Sequence, residues 1–139
     1  MILLDTSGLL AALFPDQRLH KECAAALRDA EPPRILSPFV LAELDYLILK
    51  YAGVEVELMF LGEVRQGVYD LVNLSSDEIT DVQAIIKKYA SLRVGLADAA
   101  TVVLAEQYKT RDVLTLDERH FRAMKTASRK SFRILPADA

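Results

Sequence analysis

Short apolar runs alternate with helix-length amphipathic segments along all 139 residues, and this alternation constrains the fold more than any other feature. Ile2-Leu3-Leu4, Arg34-Ile35-Leu36, Tyr69–Leu74, Asp112–Leu116 and Phe132–Leu135 read as strands. Between them the apolar spacing predicts helices over 8–14, 17–30, 39–50, 54–65, 96–108 and 118–124. A further helix opens at Ser75-Ser76-Asp77-Glu78, which carries capping residues and first-turn acids, and runs to Tyr89. Strands that alternate with helices imply a mainly parallel sheet, covered by helices on both faces. In such sheets ligands gather at the carboxyl ends of the strands.

Local punctuation supports these boundaries. Thr6 or Ser7 suits the cap of the first helix, and Pro15-Asp16 breaks it. Pro32-Pro33 stops the second, and Ser37-Pro38 is an N-cap followed by a first-turn proline. In the 54–65 helix, Val54, Leu58 and Leu61 mark one apolar stripe and Val56, Phe60 and Val64 another. A helix apolar on two sides is expected between two neighbours or in a contact between subunits.

Composition bounds the chain to one domain, residues 1–139, with no linker and no repeat. The apolar fraction is 52% and the charged fraction 27%, ordinary for a globular core. The Met1-Ile2-Leu3-Leu4 start lacks a basic leader and meets Asp5 at once, so a signal peptide is not expected and the location is cytoplasmic. No run approaches the ~20 apolar residues of a membrane span. A single cysteine, Cys23, excludes an internal disulfide and a cysteine-based zinc site, and is expected to be a small buried residue. Net charge is −3, yet residues 109–133 carry eight lysines and arginines against three acids. That basic quarter suits a polyanion, although charge alone fits a solvated helix surface equally well.

Four acids lie inside apolar sequence: Asp5 after Ile2-Leu3-Leu4, Glu43 in Leu41-Ala42-Glu43-Leu44, Asp98 in Leu96-Ala97-Asp98-Ala99, and Asp117 after Leu114-Thr115-Leu116. Asp5 and Asp117 each occupy the first position past an expected strand, hence the same sheet edge, though both also suit plain strand-end caps. Asp98 falls in the first turn of its helix, where the dipole favours a carboxylate. Glu43 and Asp45 point to nearly opposite sides of one helix. Glu43 shares its side with Phe39, Val40 and Leu47, so Asp45 is expected to be the solvated one. Two carboxylates about 4 Å apart repel by roughly 4 kcal/mol at an effective dielectric near 20. Four that converge need a cation. Oxygen donors without a histidine or cysteine cluster favour Mg²⁺ or Mn²⁺ over zinc. Such a site suits phosphodiester hydrolysis, most fully with two ions.

In order and spacing, Leu3-Leu4-Asp5-Thr6-Ser7, Ser37-Pro38 through Ala42-Glu43-Leu44, Gly95-Leu96-Ala97-Asp98-Ala99 and Leu114-Thr115-Leu116-Asp117 resemble a PIN-domain ribonuclease. The likeness is to the VapC-type toxin of a VapBC toxin–antitoxin pair. The resemblance implies a three-layer α/β/α sandwich and Mg²⁺- or Mn²⁺-dependent endoribonuclease activity. By the same resemblance Asp5 and Asp98 would be the principal metal ligands, with Glu43 and Asp117 completing or orienting the site and its water. Thr6, Ser7 and Thr115 match supporting hydroxyl positions, and His20 matches a helix histidine whose ordinary role is packing. The implied partners are RNA, a small DNA-binding antitoxin and a second copy of the chain. Arg111, Arg119 and Arg122, with Lys125, Arg129, Lys130 and Arg133, are candidates to grip RNA phosphates.

Two alternatives stay open in the sequence. One is a PIN fold that binds RNA or protein without cutting. The other is a haloacid-dehalogenase-type phosphatase, which shares only Leu4-Asp5 and wants a second acid where Ser7 stands.

Overall fold

The computed structural model describes residues 1–139. Five strands form one wholly parallel sheet: β1 (Ile2–Leu4), β2 (Arg34–Leu36), β3 (Asp70–Leu71), β4 (Asp112–Leu114) and β5 (Arg133–Leu135). Their spatial order is β3-β2-β1-β4-β5. The helices are α1 (Thr6–Leu13), α2 (His20–Asp29), α3 (Pro38–Ala52), α4 (Val54–Arg65), α5 (Ser76–Lys88), α6 (Leu96–Gln107) and α7 (Glu118–Ala123). A 3₁₀ turn, Ala90–Leu92, precedes α6.

Strand alternation sorts the core into two halves. Ile2, Leu4, Leu36, Leu114 and Leu135 point to one face and pack with Leu9 of α1, Cys23 of α2, Val40, Leu44 and Ile48 of α3 and Phe60 of α4. Leu3, Ile35, Val113 and Ile134 point to the other, against Val82 of α5, Phe121 of α7 and much of α6. Each fully buried Leu, Ile, Val or Phe contributes about 1.5–3 kcal/mol of hydrophobic stabilisation. The result is the expected three-layer α/β/α arrangement. Cys23 is buried, as expected.

The strands are shorter than their apolar runs suggest. Only Asp70 and Leu71 of Tyr69–Leu74 pair, while Tyr69 turns into the core against Phe60. β4 stops at Leu114, so Asp117 lies three residues past the strand and not at its first free position. Thr6 and Ser7 do not cap α1. The helix begins at Thr6 with Asp5 in the cap position, and the hydroxyls of Thr6 and Ser7 are used elsewhere. The capping box at Ser75 and Glu78 and the Ser37 cap are both present. α4 is not sandwiched between neighbours: only Phe60 is buried, and Val54, Leu58 and Met59 are exposed.

Gly8 explains how α1 reaches the site. A Cβ there would run into the backbone carbonyl of Leu114, so only glycine lets the first turn of α1 lie against the end of β4. Because the obstructing atoms are backbone, they cannot rotate away. Gly8→Ala is expected to cost about 1–3 kcal/mol, as overpacking does. Urea unfolding reads this as a lower midpoint; an unchanged midpoint would show that the contact is not tight.

Candidate active site

The site follows from the topology. β1 is followed in space by β2 on one side and by β4 on the other, so loops leaving the carboxyl ends of these strands diverge and open a crevice. Asp5 leaves β1, the first two turns of α3 leave β2, and Thr115 to Asp117 leave β4. Gly95 and the first turn of α6 close the fourth side. Together they line a cleft of about 640 Å³ that includes Asp5, Glu43, Asp98 and Asp117. The structure thus brings the four acids to one cavity, and no lysine or arginine lines it.

Asp5 is the deepest of them, 5% exposed. Its Oδ2 accepts hydrogen bonds from Thr115 Oγ1 at 2.6 Å and Ser7 Oγ at 3.2 Å. Thr115 Oγ1 in turn accepts from the Asp117 amide, and Ser7 Oγ accepts from the Leu116 amide. The two hydroxyls therefore tie Asp5 to the loop after β4. Burial pushes the Asp5 carboxyl up to about 7, opposed by the Thr115 hydrogen bond and aided by the charge of Asp98.

Asp98 stands in the first turn of α6, close to the positive end of that helix. Its carboxyl also lies above the usual carboxylate range. Burial is the main cause, the hydrogen bond from His120 opposes it, and Asp117 and Glu43 add repulsion. Glu43 accepts from Thr6 Oγ1 at 2.6 Å. Helix phase correctly turns it toward the cleft, but it is exposed there, whereas Asp45 is the half-buried one. Depth in the fold and position at the cleft are separate properties. Asp117 caps α7, its Oδ1 accepting from the His120 amide at 3.1 Å, so the plain capping role is real. Its second oxygen, Oδ2, faces His120 Nδ1 at 3.1 Å.

One residue of this group escapes the sequence reading, which places no histidine at the acids. His120 is only 18% exposed in its side chain, and its Nδ1 lies 2.8 Å from Asp98 Oδ2 and 3.1 Å from Asp117 Oδ2. Its Nε2 lies 3.0 Å from the Leu92 carbonyl. The hydrogen bond with Asp98 holds the ring above the ordinary histidine range, against a smaller effect of burial. The signal was present: an acid and a histidine three residues apart on a helix share one face. His20, in contrast, lies outside the cleft, where its Nδ1 meets the Ala11 carbonyl at 2.8 Å.

The basic candidates separate. Arg122 is held in a two-pronged pair by Asp138 at 2.7 and 2.8 Å, and Arg133 is paired with Asp112 at 3.1 Å. The guanidinium of Arg122 keeps the Asp138 carboxyl down at about 2. Arg111 sits before β4, at the sheet edge opposite the acids, in a separate 370 Å³ hollow with Lys109 and Lys130. Arg119 lies on α7, next to His120, and forms no ion pair. Arg122 is thus already committed, Arg111 is on the wrong edge, and Arg119 is the cation of the three best placed near the cleft.

The donor set fits a divalent ion. Four carboxylates, three of them at the N-termini of α1, α6 and α7, with only His120 as a counter-charge, leave excess negative potential that a hard cation relieves. Asp98, Asp117 and His120 form the tightest group, with one donor atom from each lying within 4.8 Å of the others.

The PIN domain family matches residues 2–126 of the chain. Ribonuclease VapC26 of Mycobacterium tuberculosis is 43% identical over 138 residues, covering 97% of this chain and all of the relative. Among solved structures, Mycobacterium tuberculosis VapC20, described as a sarcin-ricin-loop-cleaving toxin, superposes with a TM-score of 0.75 at 16% identity, over 84% of this chain and 90% of its own. A toxin–antitoxin complex from Klebsiella pneumoniae gives 0.66 at 23% identity, over 89% and 92%. At these identities the two structures speak to the fold.

Proposed function

The chain belongs to the PIN-domain family, and from that premise we propose that it is a metal-dependent endoribonuclease, the toxin of a type II toxin–antitoxin pair. The observation that carries this reading is the convergence of Asp5, Glu43, Asp98 and Asp117 on one cleft without a lysine or arginine. The 43% identity to a ribonuclease across almost the whole chain supports it independently. A phosphatase of the haloacid-dehalogenase type is disfavoured, because Ser7, where that family needs an acid, is spent on Asp5, Thr115 and the Leu116 amide. The complete acidic set likewise disfavours a non-catalytic binding module.

When bound, a divalent ion would lower the pKa of a water molecule and offset charge on the phosphodiester under attack. Mg²⁺ or Mn²⁺ is the ion we propose, with Asp5 and Asp98 as principal ligands and Glu43 and Asp117 completing the site directly or through water. Thr115 and Ser7 hold the Asp5 carboxylate in place, and Thr6 holds Glu43. Arg119, on α7 beside His120 and in no ion pair, is the guanidinium we propose to meet the phosphates of a strand in the open cleft. RNA incubated with Mg²⁺ or Mn²⁺ should be cut, and the same RNA in chelator should remain intact. Stoichiometric RNA binding without turnover across several metals and RNA types would favour the binding-module reading.

The partners we propose are RNA, a small DNA-binding antitoxin and a second copy of the chain, in the cytoplasm. No helix is long and apolar enough to cross a membrane. Tyr46, Leu49 and Tyr51 on α3 with Val54, Leu58 and Met59 on α4 expose an apolar surface that supports self-association. Light scattering at low micromolar concentration should give twice 15.5 kDa for the wild type. Leu58→Glu should shift it toward the monomer, whereas a wild-type mass of 15.5 kDa would contradict a stable dimer.

A further inference from the structure

We infer that His120 is a nitrogen ligand of the divalent ion, so that the site carries a mixed nitrogen–oxygen donor set rather than the all-carboxylate one its sequence suggests. This rests on the metal-dependent reading above and adds to it a ligand and a metal preference.

A carbonyl oxygen only accepts hydrogen bonds, so Nε2, 3.0 Å from Leu92 O, carries a hydrogen. Nε2 therefore keeps its hydrogen, and Nδ1, which donates to Asp98 in the metal-free protein, is the nitrogen whose hydrogen a bound ion would displace. A metal-binding histidine is ordinarily held this way, with its second nitrogen donating to a carbonyl or carboxylate outside the coordination shell. The Leu92 carbonyl is itself fixed, since it ends a 3₁₀ turn closed by the Leu92 and Arg93 amides.

The near side supplies the other half. Nδ1 faces two carboxylate oxygens at once, Asp98 Oδ2 at 2.8 Å and Asp117 Oδ2 at 3.1 Å. One donor atom from each of Asp98, Asp117 and His120 lies within 4.8 Å of the others, close enough for a single ion to take all three. Asp117 spends its Oδ1 on the backbone of the same helical turn, which leaves Oδ2 for the shared point.

The consequence is selectivity. Imidazole binds transition ions better than Mg²⁺, while carboxylates accept either. The site should therefore prefer Mn²⁺ to Mg²⁺, and His120 should be the reason. The test uses Mn²⁺ as probe and spin-echo detection of nitrogen coupling to the bound ion. Wild-type protein should show a ¹⁴N coupling that changes on labelling with ¹⁵N-histidine, an assignment that needs no variant. His20 does not confuse it, being engaged with the Ala11 carbonyl outside the cleft. By calorimetry His120→Gln should weaken Mn²⁺ binding at least ~10-fold and Mg²⁺ binding less than ~3-fold. Bound Mn²⁺ with an oxygen-only shell would overturn the ligand assignment and leave the nuclease reading intact. A wild-type protein that binds no Mn²⁺ would overturn both.

Discussion

Asp98→Asn is expected to lower RNA cleavage at least ~100-fold while the protein stays folded, because losing a ligand should exceed the ~10–100-fold cost typical of disturbing the residues around a metal. The substitution is nearly isosteric and removes only charge. Asp98 carries much of the site's electrostatic burden. It is half-buried in the first turn of α6, in reach of His120, and repelled by Asp117 and Glu43. Asparagine keeps a hydrogen-bonding oxygen for His120 but gives up the negative charge that draws a cation. Since burial works against the charged form of Asp98, the variant should melt no lower than the wild type without metal. Cleavage of labelled RNA beside a thermal melt followed by circular dichroism checks both halves. A folded variant that cuts at the wild-type rate would remove Asp98 from the site.

Asp5→Asn is expected to stabilise the metal-free protein and to inactivate it. The folded carboxyl is pushed up to about 7, against an ordinary 3.8, chiefly by burial. Between these values the native state keeps a proton that the unfolded chain has released. Stability therefore falls as pH rises through this window, the reverse of an ion-paired aspartate. At one pKa unit per about 1.4 kcal/mol, the loss by pH 8 is on the order of 4 kcal/mol at most. Asparagine escapes it and keeps the acceptor for Thr115. Urea midpoints in chelator should thus separate the two proteins at pH 8, with the variant higher, and bring them together near pH 4. Divalent ion at 100 times its Kd should then return about 2.7 kcal/mol to the wild type, and little to the variant. Equal wild-type midpoints at pH 5 and pH 8 in chelator would contradict the strained carboxylate.

The sequence carried the layers and the acids further than it carried the local geometry. Alternating apolar runs and helices were enough for a parallel sheet, because few other arrangements bury strands on both faces. The acids were legible because a carboxylate inside apolar sequence is costly wherever it lies. Strand ends were not, since Tyr69–Leu74 and Asp112–Leu116 look alike as apolar runs while only Asp70–Leu71 and Asp112–Leu114 find partners. The hydroxyls of Thr6 and Ser7 read as caps because local rules cannot see Glu43 and Thr115, 37 and 108 residues away. Arg122 read as a free cation for the same reason, its partner Asp138 being 16 residues on. His120 was the costliest omission. Its helix mate Asp117 was visible, but the carbonyl of Leu92 that orients it comes from a turn 28 residues earlier.

Whether these acids form one metal-dependent site for cutting RNA is read most directly from the chemistry of the new RNA ends. Metal-stripped protein, given labelled RNA with and without Mn²⁺ or Mg²⁺, should cut only when the ion is restored, and should leave no 2′,3′-cyclic phosphate, because water is the nucleophile. Cleavage that persists in chelator and ends in a 2′,3′-cyclic phosphate would mean that the ribose hydroxyl does the attacking, and would contradict a metal site built from Asp5, Glu43, Asp98 and Asp117.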